Sequence, residues 1–507
     1  MKHLKLFKTL VALMLVAFVA ACCDDDPAEP SKPEVGPSKP ETESESYQLN
    51  KFVHKYLSER YLWNEEYKKL NLNFNEDYED FFYGALERMK TNTLDLKPYV
   101  DGNGQTRYTL FSYIQKLPTG TDTRNEKIDK EQTYSFGFIN ALGVNFGEGK
   151  LGLCIQGVYP DSPAAKAGIK RGHYITEIDG LPITESNIEA TFQKLVLPSS
   201  QLSAKLTFGT FTNNNLFDAH SAQLQSEFMY CNPILYHDVI TDYPQHTIGY
   251  LVYNGFDAGF DPELFDVFKA FKNQNVTDLI LDFRYNGGGH VISANLIASC
   301  IAADASKGKV FAQYRYNDSR MAAMGNKRPT ETFSYEHYAN LKSALTDGGL
   351  NLKRIYCITG NATASASELV INALRGIDIE VVLVGERTHG KNVGMEYTDH
   401  KVNNDTYRIV PITFQTYNAK GFGDYEKGFE PDIAIHENDT DNDGYFDDFK
   451  DFGDKDEALL ARTIQEITGQ QLPTIRRSTR VDSGRIVQKQ MPLIHRPLQE
   501  GMLKKAE

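Results

Sequence analysis

Apolar residues recur at helical spacing twice near the start of the chain. Leu49, Phe52, Val53, Tyr56 and Leu57 form one set; Tyr78, Phe81, Phe82, Ala85, Leu86 and Met89 form the other. A period near 3.6 predicts two amphipathic helices, and so a small helical unit over residues 47–115. Trp63, the single tryptophan, lies between them and is expected in the core. From about Tyr134 the texture changes to short strand-like runs, Leu142 to Phe146, Gly152 to Val158 and Gly172 to Gly180, which predict a β-rich domain over 134–212. Residues 213–246 read as a connector with some strand. Beyond it, apolar runs at Ile248 to Tyr253, Leu279 to Phe283, Val310 to Tyr314, Arg354 to Thr359 and Val381 to Val384 alternate with helix-like segments. Those segments are Pro262 to Phe271, Val291 to Ile301, Tyr335 to Leu345 and Ser367 to Leu374. Strand–helix alternation predicts a mostly parallel sheet with crossover helices. A β-rich return follows at Thr406 to Val410, Ile412 to Thr416 and Gly428 to Asp432, and this third domain spans 213–469.

The two ends lack such patterning. Lys2, Lys5 and Lys8 precede an apolar run, Leu10 to Val19, too short for a comfortable membrane span, and then Val19-Ala-Ala-Cys22. A basic n-region, apolar h-region and small-residue cleavage site predict a signal peptide over 1–22. Its final Cys22 resembles a bacterial lipobox, which implies a lipid-anchored mature chain. Asp24-Asp-Asp26 resembles the acidic tag of lipoproteins sent to the outer face. The expected location is the cell envelope, on the outer membrane, periplasmic or surface-exposed. Residues 23–46 are rich in Pro, Glu, Ser and Lys and read as a solvated tether. The tail, 470–507, is basic from Pro473 to Glu507, with eight Lys/Arg against three Asp/Glu, and reads as exposed or partly docked.

Composition narrows the function classes. A formal net charge of -14 over 507 residues argues against nucleic acid as a partner. Beyond Cys22 and Cys23, the cysteines at 154, 231, 300 and 357 are far apart, form no CxxC, and are expected as buried free thiols. Asp439-Thr-Asp-Asn-Asp-Gly444 opens like a calcium loop, but Lys450 stands where the bidentate Glu belongs, so a solvated acidic turn is expected. No metal or cofactor is expected.

Candidate chemistry concentrates in three stretches. In Asn361-Ala-Thr-Ala-Ser-Ala-Ser-Glu-Leu369, a serine-rich turn joins a strand to a helix N-terminus, where open amides meet the positive end of the helix dipole. Taken alone, Ser365-x-x-Glu368 reads first as a capping box. Arg284-Tyr-Asn-Gly-Gly-Gly289 lets backbone approach a ligand closely, as a structural turn or as an oxyanion site. Gly385-Glu-Arg-Thr-His-Gly-Lys391 ends a buried strand in a lysine. A hydroxyl needs a base to attack, and lysine serves when burial and absence of counter-charge depress its pKa. His290 and His389 lie nearby in sequence without a motif to place them.

Two resemblances unite these features. Asp161-Ser-Pro-Ala-Ala-Lys-Ala-Gly168 followed by Gly172-His-Tyr-Ile-Thr-Glu-Ile-Asp-Gly180 resembles a circularly permuted bacterial PDZ domain. That implies peptide binding by strand addition, with Leu142, Gly143 and Val144 in the carboxylate loop and a helix from Asn187 to Leu195 flanking the groove. The PDZ-like segment, the 280–289 run, Thr363-Ala-Ser-Ala-Ser-Glu368 and Val384-Gly-Glu-Arg-Thr-His-Gly-Lys391 together resemble the C-terminal processing (tail-specific) peptidases of family S41, in their Bacteroides-type lipoprotein form.

The resemblance implies a multidomain α+β protein whose peptidase domain is ClpP/crotonase-like with a parallel sheet. It implies Ser365 as nucleophile, Lys391 as general base, and Ala366 and Gly288 as oxyanion donors. The implied partners are a protein or peptide substrate with a free C-terminus and a membrane. The family often has Gln four residues after the lysine. Here Met395 stands there, and Glu396 is the possible orienting group. The alternative is a non-catalytic peptide-binding lipoprotein on the same fold.

Overall fold

The computed structural model describes residues 44–89, 91–100, 106–117, 130, 132–146, 150–198, 200–212, 215–334, 347–438, 449–470, 487–489 and 501–505. The signal peptide with Cys22, the tether up to residue 43, the Tyr335 to Leu345 helix and the Asp439 to Gly444 turn lie outside these.

Both N-terminal helices form where the periodicity puts them. Ser44 Oγ accepts the Tyr47 amide at the start of Glu45–Arg60, and Asp77 caps Tyr78–Leu86. Their apolar faces bury Leu49, Val53, Leu57, Phe81 and Phe82. The unit is not purely helical. Leu96–Val100 and Thr106–Leu110 make an antiparallel hairpin, and Tyr113–Lys116 pairs with Asp405–Val410 of the C-terminal half. Its core is shared, because Val393, Met395, Ile409 and Ile412 complete the same buried cluster. Trp63 sits at the rim of that cluster rather than inside it.

The second domain is a sheet in the order Asn215–Gln225, Ser203–Thr212, Tyr174–Ile178, Leu151–Val158, Phe138–Asn145, with Val487–Lys489 on the outer edge. The sheet therefore runs past residue 212, since Asn215–Gln225 returns along Ser203–Thr212. Helix Ile188–Val196 covers it with Ile188, Phe192 and Leu195.

The third domain holds a sheet in the order Ile234–Ile240, Ile248–Tyr253, Asp278–Asp282, Arg354–Thr359, Glu380–Gly385, Ile433–Ala434, parallel except for its first pair. Successive residues of one strand serve opposite cores, as the pleat requires. Leu251 and Tyr253 pack under helices Asp261–Asn273, Val291–Ala302 and Ala366–Gly376, whereas Tyr250 and Val252 pack under Ala458–Thr468. Burial on both faces is why these strands read as unbroken apolar runs. A further sheet runs Gly288–His290, Gly501–Lys505, Val393–Val402, Ile412–Tyr417, Val310–Arg315, Thr330–Thr332. Cys154, Cys231, Cys300 and Cys357 are buried thiols outside any disulfide.

Candidate active site

Ser365 stands where strand Arg354–Thr359 turns into helix Ala366–Gly376, with φ 59° and ψ -107°. A non-glycine residue in that conformation costs on the order of 1–3 kcal/mol and persists only where its surroundings over-determine it. They do so here. Thr363 Oγ1 donates to Phe283 O at 2.6 Å, the Ala364 amide to Asn286 O at 3.0 Å, and Ser367 Oγ to Asn286 O at 3.1 Å. The Ser365 amide donates to Glu368 Oε2 at 2.9 Å, the half of the capping box that uses the glutamate. Ser365 Oγ itself is buried and makes no hydrogen bond. The Glu368 amide faces that oxygen as the other half of a capping box, without a hydrogen bond of full geometry.

The glycine run abuts the serine. Gly288 has φ 109°, and a Cβ added there would stand 2.9 Å from both Ser365 Cβ and the Ala366 nitrogen. Its amide donates to Asn286 Oδ1 at 2.9 Å, while Asn286 Nδ2 donates to Tyr253 O at 2.8 Å. The Gly288 amide, expected as an oxyanion donor, here holds the loop through Asn286, and glycine supplies close approach. The Ala366 nitrogen, first in its helix, lies beside it.

Lys391 is 3% exposed. The backbone reaches it through Gly390, at φ 85°, where a Cβ would come within 2.4 Å of Glu426 O. Its amide donates to Glu368 Oε2 at 2.8 Å, the Gly390 amide to Oε1 at 2.7 Å, and Thr388 Oγ1 to Oε1 at 2.6 Å. One fully buried carboxylate therefore fastens the lysine loop to the serine turn. Burial raises the Glu368 pKa, against the pull of those four donors.

The lysine's surroundings come from the N-terminal unit, which sequence reading left without chemistry. Lys391 Nζ lies 4.0 Å over the centroid of the Phe111 ring. Asp95 lies within electrostatic reach of Lys391 from within the core, with its pKa raised chiefly by burial. Its oxygens accept from Tyr61 Oη at 2.7 Å, Ser112 Oγ at 2.6 Å and the amides of Phe111 and Ser112 at 3.0 and 2.7 Å. Lys97 Nζ donates to His389 O at 2.6 Å, and the His389 ring meets Phe111 edge-on. The only trace of this in the sequence is an acidic residue inside Leu94-Asp-Leu96.

Glu396 has a different task from the expected one. Its carboxylate takes both amino groups of Arg320 at 2.6 and 3.2 Å and lies 3.5 Å from Arg60. Two guanidiniums at the joint with the first helix absorb the charge, so an orienting role for Lys391 does not fall to it. Met395 is core. His290 keeps Nδ1 at 3.0 Å from Phe256 O, with its pKa lowered by burial.

Leu142, Gly143 and Val144 lie inside strand Phe138–Asn145, paired with Cys154, Leu153 and Gly152. They are not a carboxylate loop, because alternating strand amides cannot converge on one anion. The turn into this strand lies at Phe136 and Gly137. A buried charge cluster joins this domain to the glycine run. Arg171 donates to Gln156 O at 2.6 Å and to Tyr285 Oη at 2.7 Å, and Arg284 bonds Asp282, Glu437 and Glu457.

Residues 247–435 match the model of peptidase family S41, 155–200 that of a PDZ domain, and 48–113 that of the peptidase S41 N-terminal domain. The chain is 24% identical over 256 residues to carboxyl-terminal-processing peptidase 1, chloroplastic, of Arabidopsis thaliana, covering 50% of this chain and 47% of that one. It is 22% identical over 410 residues to the carboxy-terminal processing protease CtpA of Bacillus subtilis, covering 79% and 76%. The first of these curated relatives is spanned over about half its length. A crystal structure described as an S41 protease from Bacteroides fragilis superposes with TM-score 0.62 at 25% identity, over 82% of this chain and 97% of that one.

Proposed function

Because the chain is built from the S41 N-terminal, PDZ and S41 peptidase domains, we propose that it is a serine endopeptidase in which Ser365 is the nucleophile and Lys391 the general base. The observation that carries this reading is the shared Glu368 carboxylate, which binds the backbones of both residues while Ser365 Oγ makes no hydrogen bond.

In this reading the neutral Lys391 amine takes the Ser365 proton as Oγ attacks the peptide carbonyl. The oxyanion forms beside the Ala366 amide, at the positive end of its helix. The ammonium then returns its proton to the leaving amine. Water, deprotonated by the same lysine, hydrolyses the acyl-enzyme and frees Ser365. The ring of Phe111 and the burial of the site exclude competing water from the lysine.

Substrates are protein chains presented through their C-termini to the PDZ domain. What supports this is the outer edge of Phe138–Asn145, flanked by helix Ile188–Val196, which offers backbone for strand addition. Cys22 carries the lipid that holds the enzyme at the outer membrane; metabolic lipid labelling of the parent chain but not of Cys22→Ser tests that part. For the chemistry, Ser365→Ala and Lys391→Ala should each lower cleavage of an unstructured polypeptide by roughly 10⁴-fold or more with the fold retained. Full cleavage by both folded variants would make it a non-catalytic site.

A further inference from the structure

Two strands near the C-terminus lie against the two elements a bound polypeptide would use. Val487–Lys489 runs antiparallel along the outer edge of Phe138–Asn145, with Val487 opposite Asn145 and Lys489 opposite Gly143. Gly501–Lys505 is paired on both sides. Gly501 to Leu503 lie parallel to Gly288–His290, and Met502 to Lys505 lie parallel to Gly394 to Tyr397 of Val393–Val402.

The sheet order states the consequence. Among the described residues, Gly288–His290 and Val393–Val402 are joined in the sheet through Gly501–Lys505. Without it they would be two facing strand edges, about two strand spacings apart, roughly 9.5 Å. Such edges carry unpaired amides and carbonyls that an extended chain satisfies on both sides. One edge adjoins Ser365 through Gly288, and the other begins two residues after Lys391. In the peptidase reading, that gap is where an extended polypeptide could pair beside both residues.

We infer that the C-terminal tail is a cis-acting occupant of the peptide track, with Val487–Lys489 on the PDZ edge and Gly501–Lys505 in the cleft. The inference rests on the peptidase reading. Its ligand is an extended polypeptide recognised by backbone on both sides of the cleft. Tethering gives the tail a local concentration in the millimolar range, so an outside chain gains access only once the tail is displaced. Charge agrees with this placement, because the tail is basic and the whole chain carries a net charge of -14.

The test uses the full chain. Met502→Pro removes a strand amide at the centre of the cleft ladder. Amide hydrogen exchange at 394–397 should quicken about tenfold or more, and a fluorophosphonate should label Ser365 faster. Lys489→Pro should do the same for exchange at 143–145 and provides an independent arm. A fluorescein-labelled peptide of residues 485–507 should bind Ser365→Ala/Met502→Pro at least tenfold more tightly than Ser365→Ala alone. Unchanged exchange in both proline variants, or equal peptide binding to the two chains, would overturn the inference. If exchange and peptide binding change as stated while Met502→Pro cuts no polypeptide, the cis occupant stands and the peptidase reading falls.

Discussion

The amides of Ser365 and Lys391 donate to the same oxygen, Glu368 Oε2, at 2.9 and 2.8 Å. A residue that looks like half of a helix cap is thereby a tie between the two loops, beside the His389 amide's bond to Thr363 O at 2.9 Å. Replacing the carboxylate by an amide puts its NH2 against at least one backbone amide that can only donate. Glu368→Gln should lower kcat by roughly 10²-fold or more, with a stability loss of about 1–3 kcal/mol. Steady-state kinetics beside thermal melts check it; an unaltered kcat would remove Glu368 from the positioning scheme.

The same carboxylate sets an acid limit. Its folded pKa is raised above the ordinary 4.5, with burial the leading cause. A raised folded pKa means that the native state binds this proton more tightly than the unfolded chain does. The group's contribution to stability is therefore largest at low pH and declines as pH rises through the folded pKa. Activity should then fall on acidification before pH 4.5 is reached, without a matching fall in melting temperature from this group. Glu437 has the opposite sign. Burial opposes its charge, but Arg171 and Arg284 outweigh burial and lower its pKa, so its contribution to the domain junction is lost only below 4.5. Activity and melting temperature scanned from about pH 4 to 8 should separate in that order.

Phe111 and Asp95 bring the N-terminal unit into the site. Phe111→Ala opens a cavity over the lysine amine, and a stability loss of about 3–5 kcal/mol is expected. Phe111→Leu keeps most of the volume but loses the ring face. It should cost less stability and still lower kcat several-fold with KM little changed. Equal kcat for the leucine variant and the parent would reduce Phe111 to packing.

Gly288→Ala tests the close approach. The new methyl would meet Ser365 Cβ and the Ala366 nitrogen, each at 2.9 Å, at φ 109°. Displacing the serine by even an ångström costs on the order of 10²-fold in rate. The expected result is loss of cleavage and of fluorophosphonate labelling with the sheet intact by circular dichroism. Alanine is tolerated at Gly84, where a Cβ meets nothing within 4 Å, which makes it the matched control.

The residues of the site divide by how far their partners lie along the chain. Ser365, Ala366 and Glu368 were legible because a strand, a turn and a helix start are local patterns, and so was the glycine run. The buried strands announced themselves through apolar runs that two-sided burial imposes. Leu142 to Phe146 reads as a strand from its pattern, and pairing with Cys154, Leu153 and Gly152 bears that out against the carboxylate loop that the PDZ resemblance implies for Leu142 to Val144. Glu396 was placed near the lysine by number alone; packing turned it to Arg320 and Arg60.

The sequence by itself determined the elements, the domain order and the stretches able to carry chemistry, because each follows from interactions within a few turns of chain. Only the tertiary structure decided what surrounds them. Glu368 reaches 23 residues onward to the Lys391 amide. The Lys391 amine lies over Phe111 from the N-terminal unit, and the C-terminal Gly501–Lys505 fills the gap between Gly288–His290 and Val393–Val402. These contacts rest on shape and hydrogen-bond pairing between segments outside any local pattern, and no period in the chain records which distant surface will close over a given side chain.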